Sequence, residues 1–165
     1  MPMRIIVLLL SILLSSMLTA CGFELRGAAA LPPELGKLYV QSSAALRNDL
    51  EVFLQGSSTR LVNDRPQANL TLTLSNPRYQ RRVLSVDPNT GHEREFELSY
   101  SVDVVATDTS GKAILEPQTL SQQRDYVFDA AALIGSNQEE AVLRVEMRRD
   151  LVRQLLFRLR AATTS

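Results

Sequence analysis

Between Glu95 and Val104 the chain alternates without a break, Phe96, Leu98, Tyr100, Val102 and Val104 against Glu95, Glu97, Ser99, Ser101 and Asp103. A strand throws successive side chains to opposite faces, so this pattern requires a sheet with one dry face and one wet face. Leu70, Leu72 and Leu74 repeat the alternation against Asn69, Thr71 and Thr73, which predicts a second strand. Pro77 interrupts it. A strand carries proline only at an edge or a bulge, so a kink is expected there, with the strand resuming from Tyr79 to Val86. Asp87-Pro88-Asn89-Thr90-Gly91 has the composition of a hairpin tip, and Asp108-Thr109-Ser110-Gly111 makes a second turn. Gln118 to Phe128 reads as a further strand whose weaker apolar character places it at an edge.

A dry sheet face must be covered, and two stretches have the stripe to cover it. Lys37 to Gln41 forms a brief strand, after which Ser42 or Ser43 caps a helix. Leu46, Leu50, Phe53 and Leu54 share one face of that helix, while Arg47, Asp49 and Glu51 take the other. Gly56 ends it in the manner of a left-handed cap. Ser136-Asn137-Gln138-Glu139 has capping-box spacing, opening a long terminal helix striped by Leu143, Met147, Leu151, Leu155 and Leu159 and widened by Val152 and Leu156. Arg153, Arg158 and Arg160 load the end favoured by the helix dipole, and Ala161 to Ser165 should fray. The order is strand, helix, three strands, helix. It predicts an α+β two-layer sandwich over residues 37–165, a single domain in which a small, mainly antiparallel sheet carries two helices packed on one face.

Upstream, Arg4 precedes an apolar run from Ile5 to Met17 that closes in Leu18-Thr19-Ala20-Cys21. This reads as a lipobox: a lipoprotein signal peptide over residues 1–20, then a lipidated tether over 21–36 that begins at Cys21. Pro32 and Pro33 stiffen the tether's approach to the domain. Two other readings stay open. A membrane-spanning helix needs roughly 20 apolar residues, and this run is shorter, ending before Glu24 and Arg26. A cleaved secretory signal would leave an incidental cysteine, yet exported domains usually hold cysteines in pairs and Cys21 is the only one. The core must therefore be held by apolar burial without a disulfide.

Composition narrows the partners. Lys and Arg number 18 against 18 Asp and Glu, so no global field draws the chain to nucleic acid, and the absence of tryptophan weakens any stacking platform. No catalytic group stands out. His92, the only histidine, lies beside the hairpin tip without metal-ligand or general-base partners at a suitable spacing. There is no Gly-x-Ser-x-Gly elbow, phosphate loop or dinucleotide fingerprint. The expectation is a protein that is not an enzyme, with no cofactor and no metal site. Basic clustering remains: Arg78, Arg81 and Arg82 lead to the tip and Arg94 leaves it. Either they pair with Asp87, Glu93 and Glu95 on a solvated surface, or they gather as an anion-contacting end of the sheet.

The segments Cys21-Gly22-Phe23-Glu24-Leu25-Arg26-Gly27 and Leu31-Pro32-Pro33-Glu34-Leu35 resemble the mature N-terminus of the LPS-assembly lipoprotein LptE family. The resemblance continues through Arg82-Val83-Leu84-Ser85-Val86, Glu95-Phe96-Glu97-Leu98, Arg124-Asp125-Tyr126 and a final helix with Glu139, Met147, Asp150 and Leu151. It implies a small sheet crossed by two helices and a non-catalytic role beside the outer-membrane β-barrel LptD. The lipoprotein would plug the barrel lumen, help the barrel assemble and contact lipopolysaccharide on its way to the outer leaflet. Acyl chains on Cys21 would hold it in the outer membrane, a destination that Gly22 fits, facing periplasm or lumen. The family's lipopolysaccharide contacts involve cations near the sheet end, whereas Ala130 to Asn137 carries none here, leaving Arg78, Arg81, Arg82 and Arg94 as candidate contacts. A periplasm-facing lipoprotein that carries a small amphiphile or chaperones a secreted substrate is the alternative, and an envelope enzyme a weaker third.

Overall fold

In the computed structural model, which describes residues 36–128 and 133–164, the unbroken alternation lies in the second-last strand of a five-stranded mixed sheet. The strands are β1 (Lys37–Gln41), β2 (Arg60–Val62), β3 (Leu70–Val86), β4 (Glu93–Asp108) and β5 (Ala113–Val127), ordered β2-β1-β3-β4-β5. β1 runs parallel to both β2 and β3, while β3, β4 and β5 form a long antiparallel meander. Helix α1 (Ala44–Leu54) follows β1, and helix α2 (Leu133–Thr164) closes the chain against β5, β4 and α1. The signal segment, Cys21 and the tether to Leu35 lie outside the described residues.

One apolar cluster joins the sheet to both helices. Leu70, Leu72 and Leu74 of β3 and the alternate residues Phe96 to Ala106 of β4 meet Leu46 and Leu50 of α1 and the stripe Met147, Leu151, Leu155 and Leu159 of α2. Removing such a side chain from water stabilises the fold by about 1.5–3 kcal/mol each, and here that burial acts without a disulfide among the described residues. Both strand alternation and helix stripe therefore point where the sequence places them.

Several boundaries differ from the sequence reading, each for a local reason. β2 and a 3-10 turn at Arg65–Gln67 follow α1; three residues are too few to register as alternation. Ser43 is the N-cap of α1 but its side chain makes no capping bond, and Ser42 Oγ donates instead to the Ser43 carbonyl. Gly56 (φ +79°) does not cap the helix. It occupies the third position of a type II turn that Ser57 N–H closes onto the Leu54 carbonyl, where positive φ suits glycine. Asp49 belongs to the buried side of α1 rather than its polar face, because Arg148 of α2 reaches it. α2 begins before Ser136, so the anticipated cap falls inside the helix, and it continues through Ala161 to Thr164 instead of fraying. Thr163 Oγ1 donates back to the Leu159 and Arg160 carbonyls there.

Pro77 falls where its missing N–H is harmless. β1 accompanies β3 only as far as Thr73, so from Leu74 onward β3 is a sheet edge, and the ladder to β4 shifts register between Ser75 and Arg78. Asn76 takes the left-handed conformation (φ 50°) in this bulge, a geometry asparagine tolerates better than most residues.

Candidate functional site: the open sheet face and hairpin end

The wet face of the meander is a lattice of hydroxyls, amides and ion pairs laid out by strand register. Successive rows across β3, β4 and β5 read Ser75, Asp103, Thr119; then Arg78, Ser101, Ser121; then Gln80, Ser99, Gln123; then Arg82, Glu97, Asp125. Asp103 is its hub. Its carboxylate accepts from Thr119 Oγ1 at 2.7 Å, Asn76 Nδ2 at 2.9 Å and Arg78 Nη2 at 3.3 Å. The Asn76 and Thr119 hydrogen bonds, seconded by the Arg78 charge, hold Asp103 below the usual carboxylate range. Arg82 pairs with Glu97 at 3.0 Å, and Ser85 Oγ donates to Glu95 at 2.8 Å.

Arg81 goes to the other face. It lies opposite Leu98, on the side covered by helix α2, with its guanidinium carbon 3.5 Å from the Phe96 ring centroid and 5.6 Å from that of Phe128. It reaches Glu140 of α2 at 3.7 Å. Tyr79 OH donates to the same glutamate at 2.7 Å, and Arg144 both pairs with it at 3.5 Å and covers the Tyr79 ring. Burial, then the Glu140 bond, pushes the Tyr79 hydroxyl up, so it stays a donor. This clasp fastens the outer half of β3 to α2.

The four candidate arginines therefore do not form one cluster. Arg78 and Arg82 lie on the open face, paired with Asp103 and Glu97; Arg81 lies on the helix face; Arg94 is exposed beside Asp87, whose acidity its charge helps to strengthen. The acids that hold Arg78, Arg81 and Arg82 are not the Asp87, Glu93 and Glu95 anticipated from the sequence. Register decides this, and the bulge at Asn76 sets the register. The exposed tip closes as expected, with Asp87 N–H donating to the His92 carbonyl and Gly91 at φ +71°. Around it Val83, Leu84, Val86 and Val127 stay exposed.

Two features escaped the sequence reading. The Asp49 carboxylate is buried between the helices, accepting from Arg148 Nε at 2.5 Å with Arg149 at 3.6 Å. Glu140 is the anchor of the clasp. Both lie on long-range contacts, and the only local signal was an acid beside an apolar stripe. Among the described residues no group of three or more His, Cys, Asp or Glu side chains stands where it could hold a metal ion.

Fold and surface together define a two-layer α+β module with one sheet face covered by helices and the other left polar and open. The chain belongs to the lipopolysaccharide-assembly family LptE, whose profile matches residues 35–159. It is 29% identical over 162 residues to the LPS-assembly lipoprotein LptE of Photorhabdus laumondii, covering 93% of this chain and 86% of that protein. It is 30% identical over 161 residues to the Yersinia enterocolitica protein of the same name, covering 94% of this chain and 75% of that one. The solution structure of lipoprotein B from Nitrosomonas europaea superposes with a TM-score of 0.72 at 25% identity, over 87% of this chain and 94% of that one.

Proposed function

We propose that this protein is the lipoprotein partner of the barrel LptD: it plugs the lumen, helps the barrel assemble, and contacts lipopolysaccharide during delivery to the outer leaflet. Family membership carries the coarser role in lipopolysaccharide assembly. The observation that supports the finer one is the open face. The interior of a large membrane barrel is polar, and a plug must offer it groups that exchange water for protein hydrogen bonds without stranding a charge. Rows of Ser, Thr and Gln with internally neutralised ions meet that requirement. In this reading acyl chains on Cys21 anchor residues 21–36 in the outer membrane, and the domain packs against LptD. Arg78, Arg81, Arg82 and Arg94 are the candidate lipopolysaccharide contacts, those on opposite faces meeting different parts of the ligand.

Purifying the full-length protein from outer membranes in mild detergent tests the proposal. A stoichiometric large β-barrel should accompany it. Recovery of the lipoprotein without any barrel, from membranes that contain LptD, would reject the plug role.

A further inference from the structure

The outer half of β3 has a neighbour on one side only. From Leu74 to Val86 its ladder faces β4, and among the described residues no strand lies along its other side. A free edge of this length is a template for strand addition, and proteins that do not use one usually blunt it. Here Pro77 and the Asn76 bulge blunt the beginning, but Arg78 to Val83 is an uninterrupted ladder segment. Its charge has one sign: β3 contains Arg78, Arg81 and Arg82 and no acid, while the acids that pair with its open-face arginines, Asp103 and Glu97, come from β4. The arginine side chains of residues 78, 81 and 82 keep 49%, 36% and 69% of their surface exposed, so each has room for a second acid from the vacant side.

We propose that the β3 edge from Arg78 to Val83 receives an extended acidic segment of another protein as an added strand. Main-chain bonds would supply the attachment, and alternate acidic side chains would take toward β3 the part β4 already plays from the other side. A second copy of this chain fits the edge poorly. Antiparallel self-pairing centred on Gln80, the middle of the segment, would set Arg78 against Arg82, like charges directly opposite, so the same arginines that admit an acidic strand disfavour the chain's own edge in that register.

The full chain in detergent is titrated with a fluorescent peptide of about ten residues, a typical strand length, alternating glutamate with valine. Two comparison peptides are a lysine-valine version and a glutamate-valine version N-methylated at alternate residues in each of the two phases. Saturable binding is expected for the acidic peptide, at least about tenfold tighter than for the basic one, with amide exchange slowed at residues 78–83. N-methylation in one phase should weaken it by a similar factor. Arg78→Glu combined with Arg82→Glu should reverse the charge preference. Equal binding of both N-methylated peptides would reduce the effect to attraction for any polyanion and overturn the proposal, as would dimerisation through this edge or no saturable binding. None of these outcomes depends on lipopolysaccharide or on LptD.

Discussion

Three aspartates owe strengthened acidity to hydrogen bonds made only in the fold. Backbone N–H groups of Thr90 and Asn89 lower Asp87, the Asn76 amide and Thr119 hydroxyl lower Asp103, and the Ser110 hydroxyl lowers Asp108. A carboxylate whose folded pKa is depressed contributes stability above its unfolded pKa, ordinarily 3.8 here, and loses it as pH falls through the lower folded value. The melting temperature should therefore drop on acidification from about pH 5 to about pH 2, and Asp103→Asn should flatten that dependence. An unchanged slope in the variant would remove Asp103 from its place as hub. Asp49 is a different case, because its removal leaves Arg148 largely buried and without its partner; Asp49→Ala should cost about 3–5 kcal/mol in denaturant unfolding. Replacing Arg81, Arg82 and Arg94 together by glutamine should weaken binding to purified lipopolysaccharide and flatten its salt dependence. Affinity within about twofold of the parent at low salt would remove these residues as contacts. At this scale the sequence was least legible: it names Arg78, Arg81 and Arg82 as a cluster, but a strand puts Arg81 on the opposite face from the other two. Nor could it pair Asp49 with a residue far along the chain.

Elements were far more readable, since strand and helix periods are local. The stripe of α2 and the alternation of β4 both appear in the buried core, and even the edge position of β5 followed from its polarity. What failed were ends and short pieces. β2 is three residues long, and α2 runs past Ala161 because Thr163 bonds back to the preceding turn, which no pattern of apolar residues encodes. Leu98 and Leu151, both fully buried, sit at the centre of strand and helix; either one truncated to alanine should lose about 2–5 kcal/mol. A variant melting with the parent would show that its side chain is not packed between the layers.

For the whole molecule, sheet and helices act as a scaffold that leaves a polar face outward, and the proposed anchor lies upstream at Cys21. With the proposed acyl chains on Cys21 as the anchor, Cys21→Ala should release the protein from membranes of cells lacking the barrel; retention there would place the anchor elsewhere. Family and fold class were both legible, the former from short segments spread over the mature chain and the latter from two periods. The polar lattice of the open face was not, because it exists only once register aligns Arg78 with Ser101 and Gln80 with Ser99. In the proposed arrangement this face lies against the barrel wall. Photo-crosslinking residues substituted in turn for Ser101 and Gln123, at the middle of the face, test it in intact outer membranes. Adducts with LptD are expected from both positions. Membrane-retained, folded variants that give no LptD adduct from either position would contradict it.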